Sequence, residues 1–123
     1  MIGWIITAWL TMQGAGDRGP QLYLECQACH ALEPGVNTPA GPTLHAVIGR
    51  SVAAERGFNY SPALRRFGQT ARIWTRERID HFLADPESAI PGTEMGYPGM
   101  RDPGDRQALI DWLEARGRPA GRP

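Results

Sequence analysis

The chain has 123 residues, and its 13 basic and 13 acidic residues give a formal net charge of zero at pH 7. This length suits a single domain, and the neutral charge argues against a nucleic-acid partner. The 15 glycines, 11 prolines and 41% hydrophobic residues indicate a compact, loop-rich protein. A core of this size would be only marginally stable by itself.

An apolar run from Ile2 to Met12 resembles the core of a secretory signal. It is shorter than the roughly 20 residues that cross a bilayer. No basic residue precedes it, so an uncleaved hydrophobic tail or a misplaced start codon is the alternative to an export signal. We predict three parts in the chain: a signal peptide or short hydrophobic segment over residues 1–16, one domain over residues 17–117, and a disordered tail over residues 118–123.

The predicted fold class is all-α, because short helical segments alternate with loops and no strand run is convincing. Residues 31–42 are rich in proline and glycine and are predicted to form a loop. Capping residues and helical spacing predict four helices: residues 21–25, a helix opened by Ser61 and Pro62 and stopped at Gly68, a helix capped by Thr75 and ended by Pro86, and a helix that begins at Asp102 and Pro103 and closes at Gly117.

The stretch Cys26-Gln27-Ala28-Cys29-His30 carries the strongest chemical signal in the sequence. Two thiols three residues apart, followed at once by an imidazole, are typical of covalent haem attachment. Residues three apart on a helical turn share a face, so both thiols can form thioethers to one porphyrin while His30 binds the iron. The alternatives are a thioredoxin-like thiol pair, a zinc site, for which the chain has only two cysteines, and a tight disulfide.

Iron in such a haem has a second axial position. The candidates outside the N-terminal segment are Met95, Met100, His45 and His81. A methionine is more often core filler than a ligand, so spacing alone does not choose among the four.

Residues 19–116 resemble the class I c-type cytochromes, especially the mitochondrial cytochrome c and bacterial cytochrome c2 branch. Besides the cysteine motif, the resemblance rests on Trp74 and on three segments, Gly41-Pro42-Thr43-Leu44-His45, Gly57-Phe58-Asn59-Tyr60-Ser61 and Pro91-Gly92-Thr93-Glu94-Met95. It implies a small cytochrome c fold, with helices and loops wrapped around one haem c that is bound through Cys26 and Cys29.

By this resemblance, His30 and Met95 are the iron ligands, and the Pro42 carbonyl accepts a hydrogen bond from His30. The resemblance also implies that Tyr60 and Trp74 donate hydrogen bonds to a haem propionate. Other implied roles belong to Arg50 and Thr93 in the same network and to Leu44 and Phe82 along the haem faces.

The family implies a one-electron carrier, not an enzyme, whose iron cycles between ferric and ferrous states. The expected setting is periplasmic, or membrane-tethered if the N-terminal segment stays attached. Redox proteins, expected to be membrane-associated, would be donor and acceptor, and the carrier itself is expected to be a monomer. The alternatives are a haem-based sensor or peroxidase-like protein with a labile methionine ligand, and a redox subunit fixed in a larger complex.

Charges near the ligands depart from the mitochondrial pattern. Glu25, Glu87 and Glu94 stand where mitochondrial members carry lysines that steer them onto acidic partners. Because surface charge chiefly sets association rate and partner choice, we hypothesise a neutral to acidic docking face.

Overall fold

The computed structural model describes residues 18–117, so the predictions for residues 1–16 and 118–123 lie outside the described residues. The described part contains five helices: α1 Arg18–Tyr23, α2 Pro62–Ala71, α3 Arg76–Ala84, α4 Pro86–Ala89 and α5 Pro103–Gly117. Its β-structure is one isolated bridge between Ser51 and Ile73. The all-α prediction is therefore confirmed for this part of the chain. Among residues 18–117, no helix has both the length and the apolar character needed to cross a membrane.

The first helix lies earlier in the chain than predicted. It begins at Arg18 and ends at Tyr23, whereas the prediction placed it over residues 21–25. The backbone then tightens into turns, in which the amide of Leu24 donates to the Gln21 carbonyl and that of Cys26 to the Tyr23 carbonyl. The cysteines therefore lie on successive turns that follow the helix.

The second helix begins as predicted, because the Ser61 side chain accepts a hydrogen bond from the Leu64 amide and Pro62 occupies the first turn. The predicted stop at Gly68 is wrong. The helix continues to Ala71 and ends at Arg72, which has a φ of 70° and donates its amide hydrogen to the Gly68 carbonyl. Gly68 lies inside the helix, where it packs closely against Val52 of the preceding loop. A Cβ at position 68 would lie 3.2 to 3.3 Å from Val52, so this contact favours a small residue.

The third and last helices confirm their predicted caps. Thr75 accepts a hydrogen bond from the Arg78 amide, and Asp102 accepts one from the Asp105 amide. Asp85 ends α3 and also caps the short helix α4, whose first residue is Pro86. The sequence analysis took Pro86 only as an end signal and so missed α4.

The core lies where α5 packs against α1 and α3. Leu109, Ile110 and Leu113 of α5 are buried there. The ring of Tyr23 on α1 lies 5.5 Å from that of Trp112 on α5. Met100 is also buried, and its amide donates to the Leu83 carbonyl at 2.7 Å. These contacts fix α1 and α5 together, and the segments between them carry most of the site residues, with Phe82 on α3.

Candidate haem site

His30 is held in one orientation by the loop that follows it. Its Nδ1 lies 2.7 Å from the carbonyl oxygen of Pro42. Burial of the imidazole lowers the pKa of His30. The hydrogen bond to Pro42 raises this pKa, but by less. The ring is therefore neutral near pH 7, and a neutral ring that donates from Nδ1 has its lone pair on Nε2. This is the form of histidine that binds a metal.

The backbone around His30 is equally restricted. A Cβ at Gly41 would lie 2.6 Å from Cε1 of His30 and 2.7 Å from the Cys29 carbonyl oxygen, so only glycine fits there. The Thr38 hydroxyl donates to the Cys29 carbonyl at 2.6 Å, and the Tyr23 hydroxyl donates to the His30 carbonyl at 2.5 Å. The sequence analysis did not assign these roles to Thr38 and Tyr23, because neither residue belongs to a recognisable motif.

The two thiols of the motif are free and differ in environment. Cys26 is half-buried and Cys29 is exposed. Burial raises the pKa of the Cys26 thiol to about 11, with a further contribution from Glu25. Cys26 is thus a neutral thiol before any thioether forms. Within residues 18–117, no group of three or more His, Cys, Asp or Glu side chains is arranged to hold a metal ion.

Arg50 is the half-buried cation of the site. One terminal nitrogen, NH1, donates to the carbonyls of Thr43 at 2.8 Å and His45 at 3.0 Å, and it lies 3.7 Å from the Glu55 carboxylate. The Nε of Arg50 is buried and has no hydrogen-bond partner within residues 18–117. Buried N–H groups nearly always have an acceptor, and a propionate carboxylate would supply one. The residues present therefore fit a haem.

Trp74 is brought next to Arg50 by the backbone. The Trp74 amide donates to the Arg50 carbonyl at 2.8 Å, and the Gly49 amide donates to the Trp74 carbonyl at 2.7 Å. The Trp74 side chain is buried, and its ring centroid lies 5.6 Å from that of Phe67 and 5.5 Å from that of Phe82. Two residues expected on the propionate side are thus neighbours, although they are 24 positions apart in the sequence.

Tyr60 is also buried, and its hydroxyl oxygen accepts a hydrogen bond from the Glu55 amide at 3.2 Å. Its own hydrogen is left to donate elsewhere. Leu44 and Phe82 are partly buried against the hydrophobic core. Their predicted place along the haem faces stays a prediction.

The loop over residues 91–99 carries Thr93 and Met95, both half-buried. Its start is fixed by a hydrogen bond from the Gly92 amide to the Glu87 carboxylate at 3.0 Å. The Thr93 hydroxyl oxygen accepts from the Met95 amide at 3.2 Å. Among the described residues Thr93 makes no hydrogen bond with Arg50, so the structure does not bring these two parts of the expected network together.

The same loop reaches back to the cysteine motif through Tyr97, which the sequence analysis did not single out. Its hydroxyl donates to the Glu25 carboxylate at 2.8 Å. Burial, followed by this hydrogen bond, raises the pKa of Tyr97, so the hydroxyl stays protonated. Two of the three carboxylates expected on the docking face, Glu25 and Glu87, therefore accept hydrogen bonds from the loop that carries Met95, the methionine loop of residues 91–99.

Comparison with known proteins identifies relatives over most of the chain, although no family model matches the sequence. Cytochrome c2 of Agrobacterium tumefaciens (strain II Chrys) is 33% identical over 110 residues, which are 88% of this chain and 99% of the relative. Cytochrome c of Arabidopsis thaliana is 33% identical over 106 residues, covering 85% of this chain and 92% of the relative.

A solved structure agrees with these relatives. Cytochrome cH from Methylobacterium extorquens superposes with a TM-score of 0.73 at 33% identity, over 83% of this chain and 99% of that one. The predicted cytochrome c fold is thereby confirmed. The chain therefore belongs to the class I c-type cytochromes and is a one-electron carrier with a single covalently bound haem c.

Proposed function

We propose that this cytochrome carries one electron at a time with His30 and Met95 as its axial ligands. The observation that carries the proposal is the 2.7 Å contact between Nδ1 of His30 and the Pro42 carbonyl oxygen, which orients the ring directly after the two thiols. A haem bound there supplies an iron that accepts and releases one electron. Met100 is the competing methionine, but its burial and its backbone bond to Leu83 give it a role in the core.

The chain's own residues hold and orient the cofactor. Thioethers from Cys26 and Cys29 prevent its loss. The hydrogen bond to Pro42 fixes the tautomer and plane of His30, as outer partners of metal-bound histidines do. Two neutral protein ligands would leave no open position for a small molecule, so we propose a carrier and not an enzyme.

The propionate side is proposed to consist of Arg50, Tyr60, Trp74 and Thr93. A carboxylate removed from water needs hydrogen bonds and opposite charge. The unpaired Nε of Arg50 and the available Tyr60 hydrogen supply them. Leu44 and Phe82 would exclude water from the haem faces.

For the setting, we propose a monomeric, exported protein in the periplasm that exchanges electrons with membrane-associated redox proteins. The apolar run at residues 2–12 supports export. The neutral chain and the exposed Glu94 support a partner other than a strongly acidic surface.

The test uses optical spectra of the exported, haem-loaded protein in both oxidation states. The ferric parent is expected to show the weak far-red charge-transfer band of a sulfur–iron bond. Met95→Leu should abolish this band, whereas the matched variant Met100→Leu should retain it. If the parent lacks the band and its reduced form readily binds carbon monoxide, the site is open and the proposal is wrong.

A further inference from the structure

One hydrogen bond joins the methionine loop to the segment that holds the cysteines. The Tyr97 hydroxyl donates to Oε1 of Glu25 at 2.8 Å, across 72 positions of sequence. Glu25 directly precedes Cys26, and Tyr97 is two residues after Met95. A side-chain hydrogen bond thus joins the two sides of the haem site.

The other hydrogen bonds of the loop over residues 91–99 are local in sequence. Its other hydrogen bonds within residues 18–117 run from Gly92 to Glu87, from Thr93 to Ile90 and from Met95 to Thr93. All of them stay within residues 87–95, so none of them joins the loop to the cysteine segment.

Glycines with positive φ lie near both ends of this loop. Gly92 has a φ of 89° and Gly99 a φ of 120°, both in the region that favours glycine. Between them, Gly96 has no atom within 4 Å of the place where a Cβ would lie. A segment with glycine ends and open space in the middle can move as a unit, unless a contact from outside holds it.

We propose that the Tyr97–Glu25 hydrogen bond is a clasp that keeps the methionine loop closed against the cysteine segment and so determines how readily Met95 leaves the iron. This inference rests on the proposed role of Met95 as a ligand. Tyr97 acts through the loop and is a positioning residue. The acceptor is a carboxylate, which makes the bond stronger than a neutral one, and the Tyr97 ring packs against the core while Glu25 is exposed.

The test measures the apparent affinity with which added imidazole replaces Met95 in the ferric, haem-loaded protein. The loss of the far-red band reports the replacement. Tyr97→Phe removes only the hydroxyl. Loss of a hydrogen bond with a typical net free energy should raise the apparent imidazole affinity of this variant about fivefold. Glu25→Gln keeps an acceptor oxygen and should give a smaller rise. The double variant should match Tyr97→Phe, because one bond cannot be lost twice.

The control for charge is Glu94→Gln, an exposed carboxylate next to Met95. It should leave the imidazole affinity at the parent value. If Glu94→Gln has the same effect as Glu25→Gln, the effect is one of charge and the clasp is wrong. A parent that shows the far-red band and an imidazole affinity unchanged by Tyr97→Phe also overturns the clasp, while Met95 ligation stands. A parent without the band overturns both.

Amide hydrogen exchange gives a second measurement that does not depend on ligand exchange. In Tyr97→Phe, the amides of Thr93 and Met95 should lose protection by about the same fivefold factor. Amides of α5 should keep theirs. Equal loss of protection in α5 would mean general destabilisation and would contradict a local clasp.

Discussion

Gly19 of α1 lies directly against the indole of Trp112 on α5. A Cβ at position 19 would be 2.8 Å from Cδ1 of Trp112 and closer still to its Cγ and Cβ. The indole cannot easily move away, because Tyr23 packs on it and the Arg116 guanidinium lies 5.0 Å from its ring centroid. Helices α1 and α5 therefore cross at a point where only glycine fits.

Gly19→Ala is accordingly expected to destabilise the protein. Overpacking of a tight contact costs about 1 to 3 kcal/mol, and here the loss should appear as a lower denaturant midpoint of the haem-loaded protein. Gly96→Ala is the control, because a Cβ at that position would have no atom within 4 Å. Equal stability of Gly19→Ala and the parent would mean that the helices adjust their crossing freely.

Gly41→Ala tests whether the loop under His30 is required for haem attachment. The added methyl group would push on the His30 ring and the Cys29 carbonyl. We expect a smaller haem-loaded fraction of exported protein and a loss of about 1 to 3 kcal/mol in the loaded form. Absorbance of the haem relative to total protein measures the first, and denaturant unfolding the second.

Gly96→Ala is the matched control, since its methyl group would enter open space although it adjoins Met95. Haem loading of this variant should equal that of the parent. A similar defect in both variants would show that the loss comes from glycine replacement in general and not from contact with His30.

Local signals in the sequence predicted the starts of α2, α3 and α5. Ser61, Thr75 and Asp102 cap their helices through bonds to amides three residues on, and such pairs are visible in a short window. The predicted stop at Gly68 was wrong because a glycine can either end a helix or allow a close contact inside one. Only the position of Val52, 16 residues earlier, decides between the two.

For the site, the sequence could predict the cysteine motif but not the contacts between distant segments. The resemblance to a family supplied Arg50 and Trp74, yet their adjacency depends on backbone bonds between two loops. The Tyr97–Glu25 bond spans 72 positions and belongs to no motif. Nothing in a single sequence marks such a pair, since each residue alone reads as an ordinary surface position.

The Thr75 cap yields a prediction confined to stability. Thr75→Ala removes the acceptor of the Arg78 amide at the start of α3, which typically costs about 1 kcal/mol. Thr70→Ala, at an exposed position inside α2, should not destabilise, because alanine is the better helix former. Thermal unfolding of both variants gives the comparison. A cap variant as stable as the control would mean that water replaces the hydroxyl at no cost.

Arg50 yields a prediction about the reduction potential. A half-buried positive charge at the proposed propionate side would favour the ferrous state, which carries one positive charge less. Arg50→Gln should therefore lower the potential, by roughly tens of millivolts for a partly shielded charge. The shielding comes from Glu55, 3.7 Å away. Potentiometric titration of the haem-loaded variant measures the shift.

Two further variants separate charge from packing in that result. Arg66→Gln removes an exposed charge on α2, which solvent and salt screen, so its potential should stay near that of the parent. Arg50→Lys keeps the charge but cannot reproduce the bonds of NH1 to Thr43 and His45. Arg50→Lys should therefore be less stable than the parent. Its reduction potential should differ from the parent value by less than the potential of Arg50→Gln does. If Arg50→Gln shifts the potential no more than Arg66→Gln does, Arg50 is a structural residue that holds the loop and does not face the haem.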